Sequence, residues 1–429
     1  MDLSPTLASW VVTNLQPLTT VLLLCTTKKG HPLRWLNVLI LIVLVVIHGK
    51  YIHLISMSTP DDVMQRISPL PVLLHTIVLL KGIDYRDLQA QHKPKDQGSR
   101  MANIWAAIRV TMDYSAVGTR WQVRNVPKMP AWLGTSPTRT RFLMRQVAVA
   151  SWQYLALDFL QRMIREDEFI WNEIIAVLLE PTTTAKHSWL LEATINIVIW
   201  FLIARLSLDI KWRATSIVAV GLGISEPASW PPMFGSSLEA YTIRNFWGKY
   251  WHQQLRWPLT ATSAFLLRSI LHMPRPSILE RYSNIFLSFL LSGFIHLAAQ
   301  YKGSTLEKPG AVEFFTSFAL GIIIEDGVQE LWSRLVSSPS NEKDTSKDTN
   351  TAVWKKLVGY VWVTGWLTGL GAFYSYDMAY IALIEPMPLA VNLSALLTMP
   401  ITALVLGVGL LFGVWQLNHE CRIQIKAIV

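Results

Sequence analysis

Long apolar runs separated by short polar breaks dominate this chain. They centre on residues 9–26, 36–57, 67–81, 142–161, 188–207, 258–272, 284–301, 311–332, 357–375 and 397–416. A helix needs roughly 20 apolar residues to cross hydrocarbon; about seven of the runs meet that length and the rest are short or interrupted. The pattern predicts an all-α, polytopic transmembrane helical bundle of about 7–10 helices. Two polar stretches, 84–100 and SSPSNEKDTSKDTNT at 337–351, read as solvated loops without chemistry. No polar segment is long enough to build its own core and no internal repeat stands out, so one membrane domain is expected to fill residues 1–429.

Composition changes this picture little. Of 429 residues, 51% are hydrophobic and 16% charged, where a soluble chain carries about a quarter charged residues. Mean hydropathy is +0.32. Asp2 follows Met1 in place of a basic leader region, so the first apolar helix is expected to be retained. Cysteine occurs only at Cys25 and Cys421, which leaves no disulfide framework and no cysteine-rich metal site, and no metal is expected. The net charge of +9 raises the question of nucleic acid. The basic residues, however, gather in loops such as KKGHPLR and KGIDYRDLQAQHKPKDQGSR, where the positive-inside bias places them in the cytosol. The expected surroundings are a lipid bilayer, with no nucleic-acid partner.

In NIFLSFLLSGFIHLAAQ, 284–300, the residues Asn284, Ser288, Ser292, His296 and Gln300 recur every fourth position. They draw a polar stripe along an otherwise apolar helix. Ser292-Gly293 puts small residues one turn before the histidine, where a neighbouring helix or a ligand can approach closely. The stripe either bonds to adjacent helices or lines a reaction site, and an ionisable residue at bilayer depth favours the second for His296. A neutral imidazole beside a bound alcohol can take its proton as general base.

RNFWGKYWHQQLRW, 244–257, reads as an amphipathic helix. Phe246, Trp247, Tyr250, Trp251, Leu255 and Trp257 cover one half, and Asn245, Lys249, His252 and Arg256 form a narrow stripe opposite. A passive interfacial anchor would explain the aromatics. The stripe adds two cations and hydrogen-bonding side chains suited to a phosphorylated donor arriving from the cytosol.

FWGKYWHQ at 246–253 resembles the FWGRRWHQ signature of wax-synthase-like membrane-bound O-acyltransferases. FLLSGFIH at 289–296 resembles their second signature, in the same order and at a similar separation. VGTRWQVRNVP at 117–127 is similar to the Gly-Thr-x-Trp segment of fungal members, and IIIEDGV at 322–328 to an acidic motif in the helix after the histidine, so the resemblance covers about 117–328. Leu297 stands where many relatives have Glu, and Ser115-Ala116 where many have Arg-Gly.

The resemblance implies a multi-helix enzyme. Fungal members acetylate hydroxyls of terpenoid or meroterpenoid intermediates from acetyl-CoA, and plant members make wax esters from long-chain alcohols. Carried over, His296 is the catalytic histidine and His252 the polar residue that works with it, with His252 or Asn245 donating to the oxyanion. Lys249 and Arg256, with Trp247 beside them, are expected to hold acetyl-CoA. Ser292, Gln300, Glu325 and Asp326 are expected at the pocket of a hydrophobic alcohol acceptor; orienting a histidine and ion pairing with a basic residue on another helix are the other readings of the two carboxylates. Acetyl-CoA is a co-substrate, so no cofactor is expected to stay bound, and the endoplasmic reticulum membrane is the expected location. The competing readings are a membrane terpene cyclase with Glu325 or Asp326 as its acid, a long-chain wax-ester synthase, and a transporter. The acetyltransferase reading requires His252 and His296 to line one chamber at membrane depth.

Overall fold

The first helices bury several polar side chains and expose several apolar ones. In α2 (Pro32–Tyr51), Leu36, Leu39, Val43 and Val46 follow helical spacing and are 53%, 60%, 56% and 66% exposed. In α1 (Pro5–Thr26), Gln16 and Thr20 are fully buried. Thr20 shares a hydroxyl hydrogen bond of 3.0 Å with Thr76, and Gln16 donates to the Pro69 carbonyl at 3.2 Å. Such packing suits lipid, where association relies on close contact and interhelical hydrogen bonds while the outer face stays apolar. The computed structural model describes residues 5–51, 60–90, 99–134, 137–166, 202–300, 310–336, 353–384 and 404–411, and every regular element among them is helical.

Further helices are α3 (Pro60–Ile67), α4 (Pro69–Gly82), α5 (Tyr85–Gln89), α6 (Arg100–Met112), α7 (Arg139–Glu166) and α8 (Ala204–Gly221). After the signature segment come α9 (Arg256–Phe265), α10 (Ile278–Gln300), α11 (Ala311–Val336) and α12 (Val353–Ile384). Most match apolar runs in the sequence. The run at 188–207 and the one at 397–416 lie largely outside the described residues, as does the polar stretch 337–351. The stretch 84–100 is not all loop: Asp84 caps α5 by accepting from the Arg86 and Asp87 backbone N–H groups, and only 91–98 fall outside the description.

Among the described residues two helices, Ala8–Thr26 and Pro32–Tyr51, are long and apolar enough to cross a membrane. Among the later helices, Glu280 of α10 and Glu325 and Asp326 of α11 are charges that other parts of the chain satisfy. Arg34 shows the same logic at the end of the first helices. It is 1% exposed and donates to the carbonyls of Leu23, Thr27, Leu80 and Ile83, so one buried cation caps the C-terminal ends of α1 and α4.

The chain gathers into two compact units, one of Met1–Val126 with Ser236–Tyr374 and one of Pro127–Gly235 with Ser375–Val429. In the second, α7 packs on α8 around a buried pair, Asp209 and Arg213, braced by Gln146 and Gln153. Every candidate site residue lies in the first unit.

In that unit α10 packs closely along α11. Gly293 permits it, because a Cβ there would lie 2.9 Å from the Val312 Cα and 3.4 Å from the Ala311 carbonyl oxygen. Both are backbone atoms that cannot swing aside. Gly293→Ala is therefore expected to lower stability by about 1–3 kcal/mol and to displace His296 one turn on. Thermal unfolding of the purified protein checks this, and an unchanged midpoint would contradict the close packing.

Candidate active site

The expected helix over 244–257 is broken. Thr242 caps a single turn, Ile243–Asn245, by accepting from the Asn245 N–H at 3.0 Å. A π-turn, Phe246–Tyr250, follows, and the chain is irregular from Trp251 until α9 begins at Arg256. Pro258 is the physical reason. It has no N–H to give residue 254 and its ring would crowd that carbonyl, whereas in the first turn of a new helix neither matters. Asn245, Lys249, His252 and Arg256 thus do not form one helical stripe.

Two side chains hold the broken segment. Gln253, 3% exposed, donates from Nε2 to the carbonyls of Trp247 at 3.0 Å and Trp251 at 2.6 Å. Arg256 donates from Nη1 to the Gly248 carbonyl at 2.8 Å and to Gln253 Oε1 at 2.7 Å. Sequence reasoning missed Gln253, although it ends the signature octapeptide. Lys249 pairs with Glu239 at 2.8 Å, both side chains remaining partly exposed. Among the described residues no hydrogen bond engages the Asn245 amide.

Glu325 and Asp326 of α11 fasten the start of the segment. Glu325, 7% exposed, accepts from the backbone N–H of Ile243, from that of Arg244 at 3.2 Å and from Trp362 Nε1 at 3.1 Å. Asp326 accepts from Arg244 at 2.6 Å, Arg281 at 2.9 Å and the Tyr282 hydroxyl at 2.8 Å. For Asp326 this is the ion-pair reading. Glu325 thus braces the start of the signature segment, and Asp326 ties that start to α10 through Arg281 and Tyr282.

His296 lies where α10 faces α11. Its Nδ1 is 2.8 Å from the Ser292 carbonyl oxygen and its ring stacks on Phe315 with centroids 4.3 Å apart. A carbonyl only accepts, so Nδ1 carries the proton and Nε2 is the ring's acceptor nitrogen, the tautomer a base requires. Ser292 serves through its backbone; Ser288 and Asn284 bond within the helix and to Ser263 of α9. The Gln300 side chain lies outside the described residues.

One aromatic cluster connects the two histidines. Trp251 is 5.5 Å from the His252 ring, Trp247 is 5.9 Å from both Trp251 and Phe315, and Phe315 carries His296. Phe318 closes on Trp247 at 5.0 Å. Both imidazole rings are partly exposed. Apart from this, an apolar groove of about 610 Å³ opens between α11 and α12 beside Leu320, Trp362, Gly365 and Trp366, and neither histidine lines it.

The arrangement offers a base with a fixed tautomer, a second imidazole in the same cluster and cations on the segment between. Among the described residues no three histidine, cysteine or carboxylate side chains gather as a metal would need.

The profile of the Membrane bound O-acyl transferase family matches residues 230–317, which contain both histidines. The acetyltransferase atnC of Arthrinium is 39% identical over 64% of this chain and 63% of its own. The acetyltransferase spyB of Aspergillus fumigatus is 36% identical over 68% of this chain and 51% of its own, and pyr8 of the same species 34% identical over 71% of each. The matched stretch thus covers less than two thirds of the first two relatives. No solved structure matches. With the profile over both histidines and relatives of this similarity, the chain belongs to the membrane-bound O-acyltransferase family.

Proposed function

We propose that this protein is an O-acetyltransferase that moves the acetyl group of acetyl-CoA to a hydroxyl of a membrane-soluble terpenoid or meroterpenoid. The observation that carries the reading is His296 itself: its tautomer is set by the Ser292 carbonyl, and one aromatic cluster links it to His252. The acceptor reaches the site from the bilayer. His296 Nε2 takes the hydroxyl proton as the oxygen attacks the thioester carbonyl. His252 or Asn245 donates to the developing oxyanion, the kind of stabilisation that counts most in a water-poor site. Collapse of the tetrahedral intermediate breaks the carbon–sulfur bond, and the CoA thiolate takes the proton back from the imidazolium. The products are an acetyl ester and CoA thiol.

The chain is a multi-pass protein of the endoplasmic reticulum membrane in this reading. Acetyl-CoA arrives from the cytosol, with Lys249 and Arg256 at its phosphates and Trp247 against its acyl end. The cyclase alternative gains little from Glu325, whose carboxylate accepts from two backbone N–H groups and an indole, or from Asp326, whose Oδ2 accepts from two arginines and a tyrosine. The relatives named as acetyltransferases favour the short acyl donor over the long one.

Microsomes carrying the protein, given a terpenoid alcohol extract and either labelled acetyl-CoA or labelled palmitoyl-CoA, test the donor. Label is expected in organic-soluble ester from acetyl-CoA, at least about tenfold above palmitoyl-CoA. Preference for palmitoyl-CoA would replace this reading with the wax-ester one.

A further inference from the structure

The Gly248 carbonyl, in the π-turn of the signature segment, accepts from two distant side chains. Arg256 Nη1 reaches it at 2.8 Å, and Asn125 Nδ2 reaches it at 2.8 Å from the far end of VGTRWQVRNVP. Two donors on one oxygen bring their neighbours together. Arg124 precedes Asn125, so the bond to Gly248 also brings the backbone of Arg124 to the turn that Arg256 braces. Lys249 follows Gly248 directly but turns its ammonium to Glu239, so Arg256 is the cation that meets this carbonyl and Arg124 the one carried next to the Asn125 that shares it.

Counter-charge is short there. Glu239 neutralises Lys249. Among the described residues no carboxylate pairs with Arg124 or Arg256, and Arg124 is exposed. Asn125 holds a left-handed backbone, φ 63°, a conformation asparagine adopts more readily than most non-glycine residues, and its amide bond to Gly248 ties the turn that carries Arg124 to the signature segment. Guanidiniums on adjoining segments without a carboxylate partner favour an anion, and their planar forks match phosphate oxygens.

We propose that Arg124, together with Arg256 and Lys249, binds the phosphates at the nucleotide end of acetyl-CoA, which makes the VGTRWQVRNVP segment part of the donor site. The inference rests on the acetyltransferase reading. Gly248 adjoins Trp247, whose ring packs near the Phe315 that carries His296, so the phosphates and the thioester would occupy two ends of one site. A lipid headgroup offers similar phosphate chemistry, and the experiment separates the two.

Purified full-length protein in nanodiscs is assayed with acetyl-CoA and with S-acetylpantetheine, which carries the thioester without the nucleotide phosphates. Arg124→Gln is expected to raise KM for acetyl-CoA, and Kd for CoA, about tenfold, the loss of one charge-assisted hydrogen bond at an exposed site. KM for S-acetylpantetheine should move less than about twofold, as only ground-state binding of the nucleotide end is lost. Arg124→Lys should recover part of the CoA affinity. Equal effects on both donors, or no effect on CoA binding, would overturn the assignment while leaving the acetyltransferase reading intact. An effect confined to bilayers containing anionic lipid would overturn it in favour of a headgroup. Wild-type protein that neither binds CoA nor transfers acetyl would remove the parent reading and this inference with it.

Discussion

His296→Ala abolishes ester formation while expression and membrane insertion stay near those of the unaltered protein. The substitution removes the imidazole proposed as the general base and adds no charge to the interior. General-base catalysis contributes about 10² to 10⁴ in rate, so turnover above about a tenth of the original would contradict the assignment. His296→Gln should fail as well. Its amide can hydrogen-bond but cannot accept a proton near neutrality, which separates the loss of a base from the loss of a packing contact against Phe315.

Glu325→Gln carries the second largest effect, for a different reason. The carboxylate gathers two backbone N–H groups and an indole N–H at the head of the signature segment. An amide in its place presents donors to donors, so one or more of these groups is left unsatisfied in a buried place, at about 1–3 kcal/mol each. The segment that positions His252 then shifts, and a misplacement of about 1 Å costs on the order of 10² in rate. Glu325 is a positioning residue on this account. The variant should lower turnover on every alcohol tested and leave the pH dependence of the remaining activity unchanged, because His296 still sets it. Unaltered turnover would show that the anchoring is dispensable. Acetyl-CoA-independent loss of a cyclised hydrocarbon product would instead make Glu325 the acid of a cyclase.

Much of the site was legible in the sequence because its parts are local. The polar stripe from Asn284 to His296 needs only helical spacing, and Ser292-Gly293 announces a close approach that Gly293 makes against Val312. The break between Tyr250 and Arg256 was visible too, in Pro258, but a helical wheel counts residue types and ignores the missing N–H. Other parts depend on neighbours far along the chain. Gln253 braces carbonyls that are open only because the helix has broken. Glu325 could not be told from an acceptor ligand until Ile243 and Arg244 lay against it. The number of spans follows the same rule: α10 and α11 carry Glu280, Arg281, Glu325 and Asp326, which lower their apolar character by composition, yet Arg268, Arg244 and the signature backbone satisfy three of these and Arg281 joins Asp326.

The most direct test of acetyl transfer at His296 follows both products in one reaction. Purified protein in nanodiscs is mixed with acetyl-CoA, with and without a terpenoid alcohol, and CoA thiol and acetyl ester are measured together. The account predicts thiol release that requires the alcohol, matches the ester mole for mole and disappears in His296→Ala. Conversion of the terpenoid with acetyl-CoA left intact, or full ester formation by His296→Ala, would contradict it.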